Sequence, residues 1–291
     1  MDVYKIVTEK ILEQIEAGTC PWSRPWTGVL DGAINYVSRE PYSLLNQMLL
    51  QREGEWLTFN QIKDRNGKIR KGAKAGMVVF SKKCEYKKTY TNEDGEETEK
   101  VVRIPILRYY NVYHISDVEG IETKIKDTDK MIVEPIKEGE KIIDTYLSNN
   151  PHLKFESKKS NRAYYSPSQD LVCVPCLKQY SKNPQEYYST TFHELVHSTM
   201  RADRCDRKDG ATMMRENYSR EELVAELGAA MLYTIAGMTS PRVFMNSAAY
   251  LKGWASSLKE DVKAIVWASS RAEAAVRYIL YNTKPKTLKT D

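Results

Sequence analysis

Between residues 3 and 15 the apolar side chains Val3, Val7, Ile11 and Ile15 recur at every fourth position, and Gly18 follows them. A spacing close to the helical repeat puts all four on one stripe, so 2–17 predicts an amphipathic helix closed by a glycine cap. The pattern then breaks. CPWSRPW (20–26) holds two Pro-Trp pairs and predicts a loop, because proline removes the donors that helices and ladders need. Short helices are expected around 44–51 and 58–64, and strands in MVVF and VVRIPILRYYNVYHI, whose β-branched and aromatic residues suit a pleated surface. Asp94-Gly95 within NEDGEETE (92–99) reads as a hairpin tip between them. From 119 to 138 the chain is charged and poor in aromatics, which predicts a linker.

The second half opens with a helical pattern over 137–148, then two short strands, RAYY and LVCV, joined by the turn SPSQD. Helical segments fill the remainder. They start after Asn183-Pro184, at Ser219, near 245 and near 261, and the tail NTKPKTLKTD is expected to fray. The predicted fold class is α+β with two domains: an N-terminal α+β domain (1–122), a linker (123–136) and a mainly helical C-terminal domain with a small sheet (137–291).

Composition supports this and narrows the setting. A chain of 291 residues can bury two cores, and 41% hydrophobic with 29% charged residues is the balance of a globular protein. The start MDVYKIVTEK lacks the apolar core of a signal peptide, and LGAAMLYTIAGM is too short to span a bilayer, so a cytoplasmic protein with no membrane partner is expected. Five cysteines, an odd number, do not suggest a disulfide framework, and the lone CxxC of Cys173 and Cys176 reads as part of a buried strand. The net charge of +5 is modest, but between Lys63 and Lys88 ten Lys/Arg face only Asp64 and Glu85. A basic patch of this kind excludes acidic mimicry of DNA.

The most specific chemical signal is HELVH, 193–197. Residues four apart share a helix face, so His193 and His197 can converge on one ion while Glu194 serves as general base beside it. Some 25 residues on, YSREELVAELGAAML offers Glu222 and Glu226, again four apart. Glu222 is the expected third ligand and Glu226 the outer carboxylate that orients a ligand histidine, although Ser219 and Glu222 also fit a capping box and the choice between the two glutamates stays open. Zn2+ is the expected metal, with Mn2+ as the alternative. Three protein ligands leave a position free for water, and peptide hydrolysis is the default reaction. Phe192, Leu195, Val196 and Thr199 would bury the other faces of the motif helix. The strand pair before it could pair with an extended peptide substrate. Tyr188 or Tyr218 could assist as an oxyanion donor, although packing is the commoner role of such residues.

Single-stranded nucleic acid needs a cationic groove with aromatic faces for stacking. The first half supplies Lys68, Arg70, Lys71, Lys74, Lys82, Lys83, Lys87 and Lys88 interleaved with Phe80, Tyr86 and Tyr90, and Trp22 and Trp26 flanking Arg24.

HELVHST, the YSREELVAELGAAML helix and AAYLKGWASSL resemble the metallopeptidase domain of the ArdC antirestriction family. CPWSRPW, NYVSREPYSLLNQMLL, WLTFNQ, GKIRKGAKAGMVVF and YYNVYHISDVEGI are similar to that family's N-terminal domain. The resemblance implies a single-stranded-DNA-binding domain followed by a zincin-like metallopeptidase domain, in a protein that shields incoming plasmid or phage DNA from host restriction. A host protein is then the candidate substrate. Two other readings are a peptidase that cleaves a regulatory protein recruited by the N-terminal domain, and a DNA-binding protein whose metal site is purely structural. Ser198-Thr199-Met200 departs from the family, in which a glycine often follows the threonine, without touching the proposed ligands.

Overall fold

Asp2 starts the first helix, its carboxylate accepting a 3.0 Å hydrogen bond from the Tyr4 amide, and Gly18 at φ +81° ends it. The helix, α1 (Val3–Glu16), buries Val7, Ile11 and Ile15 as its periodicity predicts, with Thr8 and Leu12 beside them. The computed structural model describes residues 2–22, 32–91, 97–125, 135–180, 183–207, 220–238 and 248–284, with side chains for all of these except 83–91, 97–105, 135 and 248. The expected hairpin tip and residues 285–291 of the expected fraying tail lie outside the described residues.

Next in order come β1 (Ala33–Asn35), α2 (Leu44–Leu50), β2 (Gly54–Thr58), α3 (Phe59–Lys63), β3 (Lys68–Ile69), β4 (Gly76–Thr91), β5 (Glu97–His114) and β6 (Val118–Glu119). A four-stranded sheet runs β1-β2-β5-β4, with β1 parallel to β2 and the other pairs antiparallel. β4, at 16 residues, is far longer than MVVF predicts, whereas β5, at 18, only slightly exceeds VVRIPILRYYNVYHI; two strands in one hairpin need no further neighbour to satisfy half of their backbone groups. At the open edge of β4, Asn46 of α2 stands in for a missing strand. Its side chain accepts from the Val79 amide at 2.7 Å and donates to the Val79 carbonyl at 2.9 Å.

The start of the expected linker is fastened to this half. Glu55 is fully buried and accepts from the Thr123 hydroxyl at 2.7 Å and the Lys124 amide at 2.9 Å.

The second half holds α4 (Pro135–Asn149), β7 (Lys154–Lys158), β8 (Tyr164–Ser166), β9 (Leu171–Pro175), α5 (Pro184–Ser198), α6 (Arg220–Ile235), α7 (Ala248–Glu260) and α8 (Ala264–Tyr281). Its sheet is ordered β7-β9-β8, with fully buried β9 in the middle. β7, KFESK, is a largely exposed edge strand, so it carries no apolar alternation for a sequence reading to detect. Behind the sheet the buried Arg204 donates to both carboxylate oxygens of Asp170 (2.9 and 2.7 Å) and to the Ser198 carbonyl (2.7 Å), tying the end of α5 to the β8–β9 turn.

The two domains meet through an apolar contact. Val7 and Ile11 of α1, Trp22, Trp254 and Leu258 of α7 and Leu195 of α5 belong to one continuous cluster. The Thr8 hydroxyl donates to the Val262 carbonyl at 2.8 Å across the same junction. Among the described residues no helix is long and apolar enough to cross a membrane.

Candidate metal centre

Pro184 sits in the first turn of α5, where its missing N–H costs nothing, and Asn183 precedes it. Phe192, Leu195 and Val196 are fully buried, so packing fixes one face of the helix and the adjoining face carries His193 and His197. α6 crosses α5 closely enough that a Cβ built on Gly228 would lie 2.8 Å from Cγ2 of Val196. This close approach brings the first turn of α6, which carries Glu221 and Glu222, up to the two histidines. Gly228→Ala should therefore cost about 1–3 kcal/mol of stability by overpacking and weaken metal binding by wedging the helices apart. Thermal melts with and without Mn2+ check this, and an unchanged metal-induced rise in Tm would contradict it.

His193 Nε2 and His197 Nε2 lie 3.1 Å apart. Glu222 Oε2 is 3.4 Å from the first and Glu222 Oε1 3.4 Å from the second. Four ligands held tetrahedrally at a zinc–nitrogen distance of about 2.05 Å are separated by about 3.3 Å along each edge, close to the spacing of the two histidine nitrogens and to the reach of each Glu222 oxygen to one of them. Among the described residues this is the one group of three His, Cys, Asp or Glu donors that could share an ion.

The electrostatics favour a cation as well. Burial alone would lower the proton affinity of His197, but Glu221 and Glu222, with Glu194 adding to them, outweigh it and hold the pKa up at about 10. Burial would raise the Glu222 carboxyl, yet its contacts with His193 and His197 hold it well below the usual carboxylate range. Both shifts favour positive charge between these side chains, as a cation site requires.

Outside the three donors stand two further carboxylates. Glu226 Oε1 lies 3.9 Å from His193 Nδ1, on the side away from the converging Nε2 atoms. Glu221, which the sequence reading missed, places Oε1 3.5 Å from His197 Nδ1 and pairs with Arg207. Glu194 is buried beside His193.

Other sequence expectations fare unevenly. Tyr188 is fully buried and donates to Glu140 at 2.7 Å, so it belongs to packing and is no oxyanion donor. Tyr218 and Ser219 lie outside the described residues. Trp22 requires correction as a DNA-stacking residue: it is buried, edge-on to Trp254 with centroids 5.8 Å apart, and its indole N–H points at the Tyr250 hydroxyl 3.4 Å away. An indole walled in on its faces has no surface left for a base. Arg24 and Trp26 lie outside the described residues. Lys68, Arg70, Lys71, Lys74 and Lys82 are exposed, while Lys83, Lys87 and Lys88 fall on β4 where only the backbone is described.

The register of β4 against β5 adds residues that the sequence reading passed over. Phe80 faces Arg108, Val78 faces Tyr110 and Lys82 faces Ile106, so Phe80, Lys82, Arg108 and Tyr110 share one face of the hairpin. Phe80 is 48% and Tyr110 44% exposed, and their rings meet at 6.0 Å. Alternation along MVVFSK and LRYY carries this signal, but only once the pairing register is known.

Comparison with known proteins agrees with both halves. Residues 1–113 match the N-terminal domain of anti-restriction factor ArdC, and residues 144–271 match the zincin-like metallopeptidase family. The crystal structure of the antirestriction ArdC protein from plasmid R388 in its metal-free form superposes with a TM-score of 0.71 at 26% identity, covering 98% of this chain and 100% of that one. Its Mn(II)-bound form gives 0.70 at 27% identity, covering 97% and 98%. The DNA primase TraC of Escherichia coli is 26% identical over 94% of this chain, which spans only 26% of that protein. A match to the ArdC N-terminal domain followed by a match to the zincin-like metallopeptidase domain, with the fold of the R388 ArdC protein along nearly the whole length, gives this chain the two-domain architecture of ArdC.

Proposed function

We propose that the protein is a metal-dependent peptidase joined to a single-stranded-DNA-binding domain, and that it protects the incoming DNA of a mobile element from host restriction. The division of labour falls at the 123–136 segment. The observation that carries the peptidase reading is the convergence of His193 Nε2, His197 Nε2 and Glu222 at 3.1 to 3.4 Å, with Glu194 next to them. Zn2+ fits the mixed nitrogen and carboxylate donor set, and Mn2+, which the R388 ArdC structure holds, fits it too. When bound, such a cation supplies Lewis acidity that polarises a carbonyl and acidifies water. His193, His197 and Glu222 would hold it. Glu194 accepts the proton of the attacking water and delivers it to the leaving amine. A host protein is the substrate class this chemistry serves.

The DNA reading is supported by the hairpin face of Phe80 and Tyr110 flanked by Lys82 and Arg108. Two exposed rings offer stacking surfaces, and the cations meet phosphates on either side. Replacing both rings by alanine should weaken binding of a fluorescent single-stranded oligonucleotide at least tenfold, since each stacked base contributes about 1–3 kcal/mol. Lys82→Ala should make the salt dependence shallower, by about 0.7 in the log–log slope for each phosphate the side chain no longer neutralises. Anisotropy titrations at several salt concentrations test both. Unchanged affinity in the ring variant would move the DNA site elsewhere, and an absence of any oligonucleotide binding would favour an N-terminal domain that recruits protein partners.

A further inference from the structure

The geometry points to Arg207 as a positioning residue for the metal centre, acting on His197 through Glu221. The inference rests on the metal-centre reading above and extends one layer outward from its ligands. Arg207 and Glu221 are both buried. Nε of Arg207 donates to Glu221 Oε2 at 2.9 Å and an outer nitrogen donates to Oε1 at 2.6 Å, a two-pronged pairing that fixes the plane of the carboxylate. The same guanidinium donates to the Val196 carbonyl at 2.9 Å and the Thr199 hydroxyl at 2.7 Å. One side chain thus holds the C-terminal turn of α5 and the first turn of α6 together, and these are the two turns that supply His197 and Glu222.

The carboxylate so fixed has one face turned to the metal centre. Nδ1 of His197 is sealed from water and makes no hydrogen bond of normal length, and Glu221 Oε1 faces it from 3.5 Å. A carboxylate at that nitrogen favours the tautomer with hydrogen on Nδ1. That tautomer leaves the Nε2 lone pair directed at His193 Nε2 and Glu222, where the ion would lie. With Arg207 removed, Glu221 would be a buried carboxylate with no cation to hold it, free to swing away from the imidazole or to take up a proton.

The other buried guanidinium at this end of α5 provides a comparison. Arg204 clamps Asp170 and the Ser198 carbonyl with equal economy, but Asp170 faces Tyr165 and no metal donor. If Arg207 were only a structural tie, the two arginines would behave alike.

The test uses the full-length chain and Zn2+ in competition with a chromophoric chelator. Glu221→Gln and Arg207→Lys, which keeps the charge but not the planar fork, should each bind Zn2+ about 10–100-fold more weakly than the parent. Arg204→Lys should lower Tm while leaving the Zn2+ affinity within twofold. In the zinc-loaded parent, nitrogen-15 NMR should place a slowly exchanging proton on His197 Nδ1, a measurement that needs no variant to fold. Affinities within twofold of the parent for both Glu221→Gln and Arg207→Lys, losses no larger than that of Arg204→Lys, or a rapidly exchanging Nδ1 proton would each overturn the inference. A parent protein that folds but takes up no Zn2+ or Mn2+ would instead overturn the metal-centre reading beneath it.

Discussion

His193→Ala should leave the chain with no stoichiometric divalent ion, where the parent holds one. Its Nε2 is one corner of a three-donor group whose spacings are 3.1 and 3.4 Å, and removing it leaves one imidazole and one carboxylate, too few to hold zinc against dilution. The loss has a thermal counterpart. A ligand that binds only the folded state stabilises it by about 2.7 kcal/mol at a hundredfold excess over Kd, so added Zn2+ or Mn2+ should raise the Tm of the parent by several degrees. The variant should show no such rise. Because the His193 side chain is 15% exposed and at the edge of the packing, the metal-free Tm of the variant should stay close to that of the metal-free parent. Elemental analysis after dialysis, beside paired melts, reads both effects. One retained equivalent of metal would mean that the ion lies somewhere other than between α5 and α6.

How much of this could be read from the chain depends on how local each signal is. The two histidines and Glu194 lie within five consecutive residues of one helix, so periodicity alone places them on neighbouring positions, and the structure brings His193 and His197 together. Glu222 is further away in sequence, but it opens a helix of its own, and its approach to both imidazoles distinguishes it from Glu226, which lies outside the donor group. Glu221 and Arg207 were illegible because their roles exist only in the packed structure. One is a glutamate among glutamates, and the other an arginine in the polar run RADRCDRKD.

The reading of Trp22 failed for the opposite reason. A tryptophan in a proline-rich loop looks exposed until α7 supplies Trp254 and Tyr250 against it, and no local rule foresees a partner more than 200 residues away. The same long-range packing explains why the apolar stripe of α1, correctly read as an amphipathic helix, proved to be shared between the domains. Hydrophobic periodicity states that a face will be covered without saying by what.

Glu194→Gln should separate binding from turnover. Glutamine has nearly the shape of glutamate, and Glu194 is not among the three converging donors, so the variant should keep its full equivalent of metal and its metal-induced rise in Tm. Its amide cannot accept the proton of an attacking water, and a positioned general base accounts for about 10²–10⁴ in rate, so hydrolysis of a quenched-fluorescence peptide library should fall by that factor. The parallel measurement is transfer of an unmodified plasmid into a restricting host. If proteolysis of a host protein is the means of protection, transfer efficiency should fall together with hydrolysis. Full protection by a variant that has lost hydrolysis would detach the peptidase from the proposed antirestriction role and leave the proposed DNA-binding face of β4 and β5 to account for it. Hydrolysis at the parent rate would remove Glu194 from the chemistry altogether, and the metal between α5 and α6 would then be a structural tie.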